Sequence, residues 1–256
     1  MLRSWRQRRS LSQLELSLNA TVSSRHLSFL ETGRARPSRE VVLHLADELE
    51  VPLRERNALL LAAGYAPLYA EHSLDAPEMA TVRQAVDRFL RAHEPYPALV
   101  VDRYHDLIDS NDALGLLLEG VAPELLAPPA NALRVALHPR GMAPRTLNLG
   151  EWSSHLLGRL RREAQITGDP RLDSLYHELA GYPGVEIAPP HGEVQSGDIV
   201  LPLKLRDTDG ESELAFFSTL STFGTAVDIT LAELSIEAFY PANAPTAERL
   251  LRSIDR

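Results

Sequence analysis

Positive charge in this chain is carried by arginine and is concentrated at one end. Of 26 basic residues only Lys204 is a lysine. Eight arginines (Arg3, Arg6, Arg8, Arg9, Arg25, Arg34, Arg36, Arg39) fall within residues 1–39, against two acids, Glu15 and Glu31. That segment has a balance of +6 in a chain whose formal net charge is −9. Clustered guanidinium groups in an acidic protein suit one task above others, the neutralisation of phosphate oxygens. The other reactive residue types form no catalytic set. There is no His-Glu-x-x-His pair, no glycine-rich phosphate loop with a lysine and no Gly-x-Ser-x-Gly nucleophile elbow. With no cysteine, disulfides, thiolate metal sites and cysteine nucleophiles are excluded. Nine histidines are scattered singly. His93-Glu94, His177-Glu178 and His191 come nearest to metal ligands, but ligands come clustered, so packing or surface roles are the better reading. Asp207-Thr208-Asp209-Gly210-Glu211 opens like a calcium loop yet lacks the closing glutamate, which makes it a hairpin turn. The expectation is a protein that is not an enzyme and carries no cofactor.

The arginines surround a stretch with strong helix signals. Ser12 and Glu15 have capping-box spacing, with Leu11 and Leu16 placed as a hydrophobic staple, so a helix should start at Gln13. Asn19, Ala20 and Thr21 break its apolar period. Val22, Ser23 and Leu27 then repeat the arrangement eleven residues on and open a second helix. Two short helices joined by a tight turn describe a helix-turn-helix, whose second helix enters the DNA major groove. An ordinary helical hairpin would show the same caps; the +6 balance favours the DNA-binding reading.

These residues carry a resemblance. Ser12-Gln13, Val22-Ser23, Leu30-Glu31-Thr32-Gly33 and Pro37-Ser38 resemble the DNA-binding domain of the XRE family, the phage-repressor and Cro type, over roughly residues 2–64. Two positions depart from it. Ser17 stands where a tightly packed alanine is usual, and Thr21 replaces the usual turn glycine, so Thr21 must take an unfavourable backbone angle or shift the turn.

Around this core, residues 2–9 should form a first helix with Leu2 and Trp5 inward. It is short for such a unit, which suggests a start placed a few residues late or a boundary imposed on the chain. Gly33 fits a left-handed helix stop and Ser38 a cap. Val41, Val42, Leu45, Ala46 and Leu49 mark a fourth helix ending before Pro52, and residues 54–63 a fifth, with Leu59, Leu60 and Leu61 available for packing and Gly64 as its stop. Residues 65–77 contain two prolines and read as a linker. Met79, Val82, Val86, Phe89 and Leu90 then lie on one face of a connecting helix, open to a dimer seam or a core role. At 256 residues, 44% hydrophobic and 24% charged, the chain has the composition of a soluble globular protein of one or two domains. No signal peptide and no apolar run near 18 residues is seen, so a cytoplasmic protein is expected.

Beyond Pro95 the pattern is mixed. Residues 98–101 and 104–109 read as two strands, and Asn111 as the cap of a helix reaching Gly120. Residues 131–138 lean to helix through Leu133 and Leu137. Asn148 with Glu151 has capping-box spacing for a helix bearing Trp152, Leu156, Leu157 and Leu160. Asp169-Pro170 starts another, with Leu172, Leu175, Tyr176 and Leu179, stopped by Gly181. Ile199, Leu201, Leu203 and Leu205 alternate as a strand with one buried face. Residues 213–221 return with Leu214, Phe216 and Leu220 on one face. Thr230 and Glu233 frame a single helical turn, residues 234–240 a last strand, and residues 247–254 a terminal helix.

Two strands, several helices and three antiparallel strands give the element order of a PAS-like domain. The segments HEPYPALVVDR (93–103), HPRGMAPR (138–145), NLGEW (148–152) and IEAFYP (236–241) resemble the MmyB-like ligand-binding domain found behind XRE modules, over about residues 95–245. Where that family has an aromatic residue and an asparagine after the first strand, this chain has Tyr104-His105-Asp106. The fold class expected is α + (α+β): a five-helix helix-turn-helix domain at 1–64, a linker and connecting helix at 65–94, and a PAS-like α+β domain with an antiparallel sheet at 95–256. The expected function is a one-component transcription regulator that binds double-stranded operator DNA as a homodimer and senses a small apolar ligand; the resemblance implies a fatty-acid-like one. The alternative is a second domain serving only dimerisation or protein contacts. With Leu27 and Leu30 inward, Ser24, Arg25, Ser28 and Phe29 face the groove, while Gln13, Arg34, Arg36 and Ser38 suit phosphates. Trp152, Leu203, Phe216 and Phe217 are expected to line the ligand site. No membrane contact is expected.

Overall fold

A computed structural model describes residues 1–187 and 200–252. They form two compact units. Met1–His72 with Gln165–Gly168 and Thr225–Ala232 make the first, and the remainder makes the second.

Five helices build most of the first unit: α1 (Leu2–Arg8), α2 (Gln13–Asn19), α3 (Ser24–Glu31), α4 (Arg39–Glu48) and α5 (Leu53–Ala62). The capping box is formed: Ser12 Oγ accepts from the Glu15 amide at 3.1 Å, and the Glu15 carboxylate accepts from the Ser12 amide at 2.7 Å. Ser23 caps α3 through the His26 amide at 3.2 Å. Thr21 takes the unfavourable angle, at φ +51°. Ser17 is buried, and its hydroxyl donates to the Leu14 carbonyl at 2.8 Å, so the polar atom that replaces an alanine methyl is satisfied. Gly33, at φ +72°, turns the chain so that the Arg34 and Ala35 amides donate back to the Phe29 carbonyl. Leu16, Leu27, Leu45, Leu49 and Leu60 are almost wholly buried around Trp5. Leu61 departs from expectation and is exposed. Successive residues are about 100° apart on a helix, so Leu59 and Leu60 turn inward and carry Leu61 away from the core.

The second unit is organised on a five-stranded antiparallel sheet of order β2-β1-β5-β4-β3: β1 (Ala98–Val101), β2 (Leu107–Ser110), β3 (Leu203–Arg206), β4 (Glu213–Thr222) and β5 (Ser235–Pro241). This is the expected α+β layout. α6 (Ala80–His93) precedes the sheet; α7 (Leu114–Leu118), α8 (Pro123–Leu126), α9 (Ala132–Leu137), α10 (Leu149–Thr167) and α11 (Pro170–Ala180) lie between β2 and β3 in sequence. α13 (Ala244–Leu251) follows β5 in sequence, whereas α12 (Ile229–Ala232), which precedes it, belongs to the first unit. β5 is central and buried on both faces. Its Phe239 joins a core containing Leu99, Trp152, Leu156 and Leu160, while Tyr240, on the alternate register, meets the His93 ring of α6 edge-on at 4.9 Å.

Several local expectations are corrected. The second strand begins at Leu107 because His105 lies at φ +63°, which breaks an extended run starting at Tyr104. Histidine is among the residues that tolerate this region. Asn111 caps no helix: its Oδ1 accepts from the Ala98 amide at 2.9 Å, and its Nδ2 donates to the Tyr96 carbonyl at 2.7 Å, tying the end of β2 to the start of β1. Asn148 is drawn away from its helix to β3, accepting from the Lys204 amide at 3.0 Å and donating to the Pro202 carbonyl at 2.8 Å. β3 is four residues long, and Ile199 lies outside the described residues. Leu220 is exposed because the outer half of β4 runs into solvent. α13 starts at Ala244, where Asn243 accepts from the Thr246 amide at 2.9 Å. Residues 253 and 254 of the expected terminal helix, and His191, also lie outside the described residues.

Candidate nucleic-acid interface and ligand cavity

In the first unit the arginines divide into two populations. Arg6 is buried and grips Glu31 with Nε and Nη2 at 2.6 and 2.9 Å; a third N–H reaches the Leu11 carbonyl at 2.7 Å. Burial works to raise the Glu31 pKa, but the hydrogen bonds from Arg6 and Gln13 and the Arg6 charge outweigh it, holding the carboxyl below its usual range. Arg9 donates to the carbonyls of Leu49 and Glu50, both at 2.8 Å, fastening the end of α4. Arg25, Arg34, Arg36 and Arg39 are exposed, and among the described residues none forms an ion pair.

Each residue expected at the DNA has a defined place. Arg25 lies over the Phe29 ring one helical turn on, 5.3 Å from its centroid. Ser28 is half-buried, and its carbonyl accepts from the Thr32 hydroxyl at 2.7 Å. Ser24 is exposed, but its Oγ lies 2.8 Å from Ser17 Oγ, a bond between α2 and α3 that competes with base contact. Gln13 donates one amide hydrogen to Glu31 at 2.7 Å. Ser38 caps α4 by accepting from the Val41 amide at 3.3 Å. Arg6 and Arg9 were grouped with the phosphate-seeking charge by count alone. Their role in holding the fold was signalled only by Glu31, an acid placed amid arginines.

The second unit contains a cavity of about 70 Å³ between one face of the sheet and helices α7 to α10. Trp152 and Leu203 line it together with Leu99, Leu156, Leu133 and Phe239. Phe216 is fully buried and meets Phe239 edge-on at 6.5 Å, behind the lining. Phe217 lies on the other face of the sheet, stacked on Tyr240 at 5.3 Å, because neighbouring residues of a strand point to opposite sides. Glu237 also lines the cavity and was missed. Alternation with Ile236 and Ala238 reads as an outward residue, whereas this strand has no outward face.

The family-specific segments hold the frame of this cavity. An added Cβ at Gly141 would stand 2.2 Å from the Val135 carbonyl oxygen, so only glycine permits that approach to α9. Arg145 donates to the Glu119 carbonyl at 2.7 Å and the Arg206 carbonyl at 3.0 Å, joining the end of α7 to β3. The corner that departs from the family is closed by polar contacts to acidic side chains. His105 Nε2 lies 2.8 Å from Glu163, the Tyr104 hydroxyl donates to Asp169 at 3.1 Å, and Arg103 reaches Asp169 and Glu233 at 3.0 and 2.8 Å.

Among the described residues no helix is long and apolar enough to cross a membrane. No curated protein matches the chain. Residues 2–56 match the helix-turn-helix family, and residues 82–253 match the MmyB-like transcription regulator ligand binding domain. A capped helix pair with four exposed arginines that form no ion pair among the described residues, in a chain that also has an α+β unit with an apolar cavity, agrees with both matches, and the chain belongs to the MmyB-like family of transcription regulators, with a helix-turn-helix DNA-binding unit and a ligand-binding domain.

Proposed function

We propose that this regulator is a one-component sensor: a homodimer that binds operator DNA through α3 and changes its operator affinity when a small, fatty-acid-like apolar molecule occupies the cavity. Arg25 and Phe29 read base edges, the guanidinium on guanine and the ring on a thymine methyl, with Ser24 and Ser28 beside them. Arg34, Arg36, Ser38 and the remaining donors of Gln13 hold phosphates. A single α3 covers a few base pairs, so two copies occupy half-sites about one helical turn apart. The acidic second unit contributes no attraction for DNA.

The observation that carries the ligand reading is a cavity whose lining is apolar but for Glu237. Its size favours a second reading. Ligand pockets commonly enclose about 300–1,000 Å³, whereas about 70 Å³ approaches a filled core, as a domain serving only dimerisation would have. Ligand entry therefore requires lining side chains to move apart. Regulation follows from linkage: the ligand shifts operator affinity only by binding the DNA-competent and incompetent states unequally. Mass spectrometry of molecules extracted from the purified protein, followed by operator titration with and without them, tests this. Leu203→Trp should abolish uptake while leaving the fold intact. Equal operator affinity in both titrations, with nothing extracted, establishes the dimerisation-only reading.

A further inference from the structure

The cavity has one polar side chain in its lining, and its placement is not accidental to the strand. Glu237 pairs with Leu99 of β1 in the antiparallel register, so the two side chains share a face of the sheet. Leu99 and Phe239, two residues on from Glu237, both pack in the core with Trp152 and Leu156 of α10. Glu237 therefore points toward the helices, and it is 8% exposed. A buried carboxylate ordinarily has its lone pairs filled by donors. Here the nearest cation is Arg159 of α10, whose Nη2 stands 3.7 Å from Glu237 Oε2, beyond hydrogen-bond reach. Arg159 is held at the same distance, 3.7 Å, from Glu163. Among the described residues the Glu237 carboxylate receives no hydrogen bond, and it borders free volume lined by hydrocarbon.

Resting on the ligand-sensing reading above, we propose that Glu237 is the polar anchor of the cavity, selecting an apolar molecule that ends in a hydrogen-bond donor, an alcohol or a protonated amine, in preference to a carboxylate. A donor there forms a charge-assisted bond with an acceptor that lacks one. A carboxylate would bring a second negative charge beside the first in surroundings that screen poorly, and would have to take Arg159 from Glu237. The fatty-acid likeness is thus confined to the aliphatic body of the ligand.

Calorimetric titration of the full chain at neutral pH with octan-1-ol, octylamine and octanoate, each below its micellar concentration, separates the cases. The expected ranking has amine and alcohol at least about tenfold tighter than the acid, the range of a hydrogen bond to a charged group. Glu237→Gln keeps the shape and should weaken the amine by about tenfold while strengthening octanoate. Glu237→Asp, which retracts the carboxylate by one methylene, should lie between, and serves if the glutamine variant fails to fold. Octanoate as the tightest of the three, or an unchanged ranking in both variants, overturns the anchor role while the ligand-sensing reading stands. No binding by any of the three, with Leu203→Trp indistinguishable from the parent, overturns that reading and the anchor with it.

Discussion

Arginine does opposite work in the two units. In the second, Arg103, Arg134, Arg140, Arg159 and Arg249 each face a carboxylate of the same unit, and Arg145 spends its hydrogen bonds on carbonyls. In the first, Arg6 and Arg9 are consumed internally, while Arg25, Arg34, Arg36 and Arg39 project without an ion pair among the described residues. The contrast has a physical origin in charge count. Residues 1–72 carry a balance of +2, which leaves −11 for the rest of the chain. The five named guanidinium groups of the acidic unit have an internal carboxylate, whereas Arg25 on α3 and Arg34, Arg36 and Arg39 beyond it have none among the described residues. Residue type therefore does not separate fold from function here; the presence of an internal acceptor does.

The largest effect should come from breaking an internal pair. Glu31→Gln strands the buried Arg6 cation, and removing one partner of such a pair costs about 3–5 kcal/mol. Urea unfolding should show that loss in the first unit, with the second unchanged. Replacing both partners, Arg6→Met with Glu31→Leu, should restore most of it, since the desolvation of both charges is then avoided. The pH dependence has a definite sign. The folded pKa of Glu31 lies below its unfolded value near about 4.3, so its contribution is fully present above that value and is lost as pH falls through the folded pKa. The first unit should weaken in acid accordingly, and the double replacement should remove this part of the acid sensitivity. A small loss in Glu31→Gln would place Arg6 among the solvent-screened arginines and erase the division drawn above.

Arg25 is the test from the other population. Arg25→Ala should leave unfolding unchanged yet cost about 1–3 kcal/mol of binding at one base position in each half-site. Its contact with Phe29 is worth little at an exposed site. Equal weakening on every operator sequence would reassign Arg25 to phosphate contact, which gel-shift titration on single-base operator variants resolves.

How much of this was legible beforehand follows the range of the interactions. The helix starts at Ser12, Ser23, Ser38 and Asp169 are formed as read, because a cap is a contact between residues two or three apart. Asn111 and Asn148 had the same local appearance and were misread: each is claimed by backbone 13 to 56 residues away, which no local pattern encodes. Glu237 was hidden for a related reason, since two-residue alternation assumes one wet face and β5 has none. Of the residues expected at the ligand, Trp152 and Leu203 reach the cavity, and Phe217 lies across the sheet because the sequence alone does not say which register faces the helices. Thr21 was legible as strain and the strain is present, at φ +51°. His105 occupies the same backbone region in the second unit but is held there by Glu163 at 2.8 Å. Thr21→Gly should thus stabilise by about 0.5–1 kcal/mol, the left-handed penalty of a β-branched residue less the entropy glycine loses. His105→Gly should destabilise, because it removes a side chain that is bonded. Thermal denaturation of the two variants, moving in opposite directions, would confirm the distinction; both rising would show that the His105–Glu163 contact adds nothing.

The smallest expected effect is also the most direct measure of unpaired charge. Arg34 and Arg36 follow the left-handed Gly33 and precede the Ser38 cap of α4, a segment whose exposed guanidinium groups flank helix amide N–H donors. If each neutralises one phosphate, its loss removes one counterion-release event, and the slope of log affinity against log salt falls by about 0.9. Between 50 and 200 mM salt this amounts to only about a three- to fourfold change in the ratio of affinities, whatever the DNA sequence. Fluorescence anisotropy over a salt series, on operator and on unrelated duplex, reads the slope for Arg34→Ala, Arg36→Ala and the pair. Additive reductions on both duplexes are expected because the contacts are to backbone oxygens. The internal arginines provide the control: Arg6→Met with Glu31→Leu alters two charges of opposite sign in a buried pair that already has its anion, so the slope should stay at the parent value. An equal slope in all these variants would mean that the exposed arginines remain solvated in the complex, and that the +6 balance of the first 39 residues acts on DNA only as a diffuse field.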